Sequence, residues 1–307
     1  MVGRLGFGLG LFTGSLLIGF WLCRRGLVSA TQAHSVIRFI VKWLSPVVLC
    51  LSFWNLKITG AGPLLLPLVG LVVSLATLLP AWTYARFAKF TRPETGSFLT
   101  CAMFSNLGFL GAFVAFALRG EAAYGFAALY MVYFSPCFYL VGFTIAKRFS
   151  QGPQPFAHGT VFSDELRFYP FLGLCLGLGL SGAHVDRPMV FELINHLLIP
   201  LDTALYLIAI GSQLSLERPG RWLNACLAMS VIKFCYSPLV GWALVSLLHL
   251  EGLPRFVVLL QTSMPVGIST LMLPLLFGLD RKLSSILWVF TTVLVIPWLL
   301  VYPPLIR

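Results

Sequence analysis

Ten apolar runs, each long enough to cross the roughly 30 Å hydrocarbon core of a bilayer as a helix, follow one another along this chain. They fall near residues 5–23, 36–56, 63–85, 97–118, 122–146, 167–184, 189–213, 222–248, 254–277 and 283–303. Little else is available to build a water-facing surface. Only 10% of the 307 residues are charged, against about a quarter in soluble domains, and 58% are hydrophobic, with a mean hydropathy of +0.91. Inside lipid a backbone must satisfy its own polar groups, and runs of this length do so as helices. The chain is therefore expected to be an all-α polytopic membrane protein. The first run, Leu5 to Cys23, lacks the basic leader and small-residue cleavage site of a signal peptide, and its charges, Arg24 and Arg25, follow it. It reads as a first span with its N-terminus outside.

The formal charge of +11 is a statement about orientation, not nucleic acid. Sorted by alternate connections, thirteen Lys and Arg residues fall on one side (Arg24, Arg25, Arg38, Arg86, Lys89, Arg92, Lys147, Arg148, Arg167, Arg218, Arg221, Arg281, Lys282) and six on the other (Arg4, Lys57, Arg119, Arg187, Arg255, Arg307). Basic loops stay cytoplasmic, so this asymmetry predicts ten spans with both termini on the non-cytoplasmic side of a plasma or inner membrane. Seven dispersed cysteines without C-x-x-C or metal spacing read as small hydrophobes. Neither a metal nor an organic cofactor is expected.

Residues 150–166 form the longest connection and divide the chain into 1–149 and 167–307. Features of the two parts match in order: Pro46 with Pro200, Pro80 with Pro238, Asn106-Leu107-Gly108 with Pro265-Val266-Gly267, and Pro136 with Pro297, at offsets of 154, 158, 159 and 161. The slow drift predicts two five-helix repeats, and an odd number of spans per repeat makes them inverted in the membrane.

In inverted-repeat carriers, substrate sites lie near the midplane where paired helices are interrupted. The fourth and ninth spans carry such interruptions. One reads Thr100-Cys101-Ala102-Met103-Phe104-Ser105-Asn106-Leu107-Gly108, the other Gln261-Thr262-Ser263-Met264-Pro265-Val266-Gly267. Small, polar and helix-breaking residues stand there at mid-span; the plain alternative is two kinked helices packed through Gly and Ser. Two ionisable residues also lie mid-span, Asp202 in the seventh and Lys233 in the eighth. Their pairing would make a gate or proton-coupling device; the plain alternative is a static pair. Lys42, one turn inside the basic side, is expected to snorkel.

The stretch Ser105-Asn106-Leu107-Gly108-Phe109-Leu110-Gly111, with Arg119-Gly120-Glu121-Ala122-Ala123-Tyr124 and Ala127-Ala128-Leu129-Tyr130, and the run Ser263-Met264-Pro265-Val266 with Phe277-Gly278-Leu279-Asp280, resemble the auxin efflux carrier family of the bile acid, arsenite and riboflavin transporter superfamily. The resemblance implies a secondary carrier of a small organic anion, a carboxylate or auxin-like weak acid, working by alternating access with elevator-type motion. It implies that the fourth and ninth helices are broken and cross. It also implies a scaffold of helices one, two, six and seven and a transport domain of helices three to five and eight to ten. On this chain it places the crossover at Asn106 and Pro265, the substrate carboxylate at Asn106, and Ser105, Gly108, Gln261, Thr262 and Gly267 around the same site.

Related bile-acid carriers hold sodium near the second crossover with acidic and amide groups; here Gln261 is neutral and neither broken span carries a carboxylate. Sodium coupling is not expected, and proton coupling stays open. Membrane lipid is a partner, and a homodimer through the scaffold helices is admitted. A membrane enzyme would need clustered catalytic groups, and the chain shows no H-E-x-x-H, no G-x-S-x-G and no paired carboxylates. A ligand-sensing receptor on the same fold, a sodium-coupled symporter and a channel are the remaining alternatives.

Overall fold

The computed structural model describes residues 2–58, 60, 62–151, 168–212 and 219–305, and every element in them is helical. Most of the 150–166 connection lies outside the described residues. The elements are α1 (Val2–Arg24), α2 (Ala30–Phe39, continued through Ile40–Leu44 and Ser45–Trp54), α3 (Gly62–Phe87) and α4 (Arg92–Met103). Then come α5 (Leu107–Arg119), α6 (Glu121–Phe149), α7 (Phe168–Gly182) and α8 (Met189–Gly211). The last are α9 (Gly220–Leu247), α10 (Gly252–Thr262), α11 (Ile268–Phe277) and α12 (Arg281–Leu305). Seven of these are long and apolar enough to cross a membrane.

Helix boundaries follow local chemistry. α2 begins six residues before the expected apolar run, because Ser29 caps it: the Gln32 amide N–H donates to Ser29 Oγ, and Gln32 Oε1 accepts from the Ser29 N–H at 2.8 Å. α4 begins with the same device, Thr91 with Glu94. Two single π turns, Ile40–Leu44 in α2 and Ile232–Tyr236 in α9, each end two residues before a proline, Pro46 and Pro238. A proline ring displaces the carbonyl four residues back, and a widened turn absorbs the displacement.

By their contacts the residues fall into two compact units. Unit 1 holds α1, α2, α5, the start of α6 to Ala128, α7 and α8; unit 2 holds α3, α4, the rest of α6, and α9 to α12. The chain passes from one to the other between Leu107 and Gly108 and between Ala128 and Leu129.

Unit 1 is assembled by close backbone contact. A Cβ at Gly173 of α7 would collide with the Pro46 carbonyl of α2, and one at Gly177 with the Cys50 carbonyl; Gly19 of α1 meets Ile208 of α8, and Gly211 meets Leu16, in the same way. Glycines four apart let helices approach where lipid offers no hydrophobic drive to join them. Gly173 and Gly177 thus form the packing face of α7 toward α2. A buried polar cluster ties the same unit. Arg187 makes a two-pronged ion pair with Glu121 at the start of α6 and donates to the Leu51 carbonyl of α2. Asn195 of α8 donates to Glu121 Oε1 at 2.5 Å and to Ser52 Oγ at 2.9 Å.

Removing one member of a buried ion pair strands the other charge at a cost of about 3–5 kcal/mol. Glu121→Ala is therefore expected to lower the thermal midpoint of the purified protein sharply. Glu121→Ala combined with Arg187→Met should recover much of the loss, and no recovery in the double variant would show that the pair is not the source.

Candidate functional site

Both interrupted spans are broken in the structure, and their broken segments meet inside unit 2. α4 ends at Met103; Phe104 is extended (φ −104°, ψ 126°), and α5 starts at Leu107 with a π turn over Leu107–Ala112. α10 ends at Thr262, and α11 starts at Ile268 as a short 3₁₀ turn after extended Gly267 (φ −76°, ψ 142°). Between the halves, Ser105 and Val266 form an isolated antiparallel bridge. The Asn106 N–H donates to the Pro265 carbonyl at 2.8 Å, and the Gly267 N–H donates to the Phe104 carbonyl at 2.9 Å. The Val266 N–H is taken by Thr291 Oγ1 of α12 at 3.2 Å. Each break thus supplies hydrogen-bond partners that the other lost on leaving the helix, the requirement for irregular backbone at membrane depth.

The sequence explains the pairing. Pro265 has no N–H to keep a helix going, while its carbonyl remains an acceptor. Gly267 permits the approach: a Cβ there would stand 2.8 Å from the Ser105 carbonyl oxygen. Pro265 and Gly267 therefore form the seam of the bridge.

The other candidates divide by what holds them. Asn106 is 7% exposed, and its backbone N–H is held in the bridge. Gln261, at the end of α10, is 0% exposed, and neither its Nε2 nor its Oε1 has a partner among the described residues. A buried, unbonded amide costs roughly 1–3 kcal/mol per polar atom, so Gln261 is the polar side chain next to the break whose burial nothing among the described residues offsets. Thr262 turns back on its own helix, donating to the Leu259 carbonyl at 3.0 Å and packing toward Gly241 of α9. Gly108 opens the first turn of α5, on the unit 1 side of the chain.

Lys233 joins the break directly. Its Nζ donates to the carbonyls of Ala102 (2.7 Å) and Phe104 (3.2 Å) and to Ser105 Oγ (2.8 Å), while Thr77 of α3 also donates to the Ala102 carbonyl. Asp202 belongs to unit 1, where Ser45 donates to its Oδ1 at 2.8 Å. Each of the two expected gate residues is thus engaged within its own unit. Sequence reasoning missed that Lys233 serves the broken end of α4. Its acceptors are main-chain carbonyls some 130 residues away, which no side-chain pattern announces. The Glu121–Arg187–Asn195 cluster was missed as well, since Arg187 read as one more loop charge; Asn195, an amide inside an apolar run, was the available signal.

Gly267→Ala is expected to push the Ser105 carbonyl away and lower the thermal midpoint, whereas Gly179→Ala in α7, where a Cβ meets open space, should not. Equal melting of the two variants would show that the bridge does not need the close approach.

A family model described as membrane transport protein matches residues 15–152 and 157–303. A 27% identity over 210 residues relates the chain to uncharacterized transporter MJ1031 of Methanocaldococcus jannaschii, covering 66% of each chain. The chain therefore spans just under two thirds of that relative's length. With a family match over nearly its whole length and seven helices long and apolar enough to cross a membrane among the described residues, the chain belongs to the membrane transport protein family, the auxin efflux carrier family, as a multi-pass membrane protein.

Proposed function

We propose that the protein is a secondary carrier of a small organic anion, bound at the paired breaks Phe104–Asn106 and Ser263–Gly267. The observation that carries the reading is the buried, unpartnered amide of Gln261 beside a bridge that already satisfies its own backbone, with Asn106 in the facing break. What the site offers a guest is mostly donors: the two side-chain amides, the first N–H groups of α11, and the charge of Lys233. No carboxylate stands in either break. Such a set suits an anion, and a carboxylate best, since two amides can address its two oxygens.

Ten crossings follow if α4 with α5, and α10 with α11, each count as one broken span crossing its partner and α7 as a short one. The two spans then occupy equivalent places in two inverted five-helix repeats, residues 1–149 and 167–307. The grouping into units is in keeping with elevator-type motion in so far as both breaks lie in unit 2 and α1, α2, α7 and α8 in unit 1, although α5 and the start of α6, which the resemblance gives to the transport domain, group with unit 1. The passage between units at Leu107–Gly108 falls where α5 starts, so bending there disturbs no α-helical hydrogen bond. Proton coupling remains compatible with this site; sodium coupling is disfavoured by the neutral Gln261. Both termini face away from the cytoplasm, in keeping with the loop charges.

A panel of small carboxylates screened by thermal shift on the purified protein should contain at least one stabilising ligand. Uptake of that ligand into proteoliposomes should be saturable. It should fall roughly tenfold or more in kcat/KM in Asn106→Ala and in Gln261→Ala, the loss expected when a donor to a charged group is removed. Undiminished uptake in both variants would overturn the site.

A further inference from the structure

Lys233 is 0% exposed, and no ion pair among the described residues includes it. A buried ammonium is costly unless its donors are matched, and here all three are. An ammonium has three N–H donors and no acceptor; Nζ faces three oxygens at 2.7, 2.8 and 3.2 Å. Two of these oxygens are main-chain carbonyls at the C-terminal end of α4, where the helix dipole is negative and the last carbonyls lack helical partners. The Ala102 carbonyl additionally accepts from Thr77, and the Phe104 carbonyl from Gly267. This is the surrounding of a small oxygen-ligated cation: carbonyls, a hydroxyl and no counter-charge.

We propose that the Lys233 ammonium is a tethered cation filling a monovalent-cation site at the broken end of α4, in place of a free ammonium, sodium or potassium ion. The π turn Ile232–Tyr236, forced by Pro238, fixes where the tether leaves α9. A tethered charge cannot dissociate, so the broken end of α4 stays neutralised at every ionic composition and Ser105 stays fixed. Truncating the side chain should uncover the site and make the protein responsive to a free monovalent cation. This inference stands on geometry within unit 2 and does not require that the breaks bind substrate.

The test is thermal melting of the purified full-length protein, without any carboxylate, in ammonium, sodium or N-methyl-D-glucamine chloride at equal ionic strength. The last cation is too large to enter. Wild type should melt at one temperature in all three. Lys233→Ala and Lys233→Met, the second keeping the length of the side chain without its charge, should melt lower in N-methyl-D-glucamine. Ammonium or sodium should raise the midpoint of Lys233→Ala by about 2–4 °C at concentrations several-fold above the dissociation constant. A midpoint in both variants that does not depend on the cation, or an equal rise in wild type, would overturn the proposal. So would failure of both variants to fold even in ammonium chloride. A cation response of Lys233→Ala together with a wild-type protein that no carboxylate stabilises would instead count against the transport reading alone.

Discussion

A polypeptide that leaves helical structure in the middle of a membrane exposes N–H and C=O groups that lipid cannot satisfy, and the structure of unit 2 is organised around meeting that demand twice. The two breaks are apposed so that Phe104, Asn106, Pro265 and Gly267 satisfy one another, with Thr291 taking the remaining Val266 amide. Thr77 and Lys233 reach the carbonyls at the end of α4. Neither break could persist alone. Each is the other's hydrogen-bonding surface.

Unit 1 solves a different problem. Its helices are held by backbone approach at Gly19, Gly173, Gly177 and Gly211 and by the buried ion pair and amide around Glu121, Arg187 and Asn195. Contacts of this kind fit a rigid frame. Small residues leave little slack for helices to slide, and a buried charge pair is destabilised as soon as one partner moves. In unit 2 one set of polar groups meets at the bridge, while others, such as Ser74 with Tyr133 and Ser97 with the Asp280 carbonyl, lie away from it.

Most of this arrangement can be read from residue type, because membranes punish departures from apolar helix and so make them conspicuous. Pro265, Gly267 and the Ser105-Asn106 pair announce the breaks, since a lipid-facing helix would not place them at mid-span. What could not be read depends on main-chain partners or on conformations that carry no residue signature. Phe104, an unremarkable apolar residue, is the one that turns extended, and its carbonyl receives both Gly267 and Lys233. Mid-span Asp202 and Lys233 invited each other as partners, while Ser45 and the end of α4 engage them within their own units. The early start of α2 was hidden by counting hydropathy instead of caps.

The central claim is that the two breaks form one paired element that stays paired as the carrier works. Ser105 and Val266 face each other across the bridge, so Ser105→Cys with Val266→Cys, in a background lacking the seven native cysteines, places two thiols for a disulfide. Disulfide yield and carboxylate uptake in the oxidised and reduced forms of this one protein give the most direct measurement. The account predicts ready crosslinking and an oxidised carrier that transports at the rate of its reduced form. Failure to crosslink, or transport abolished by oxidation and restored by reduction, would contradict it.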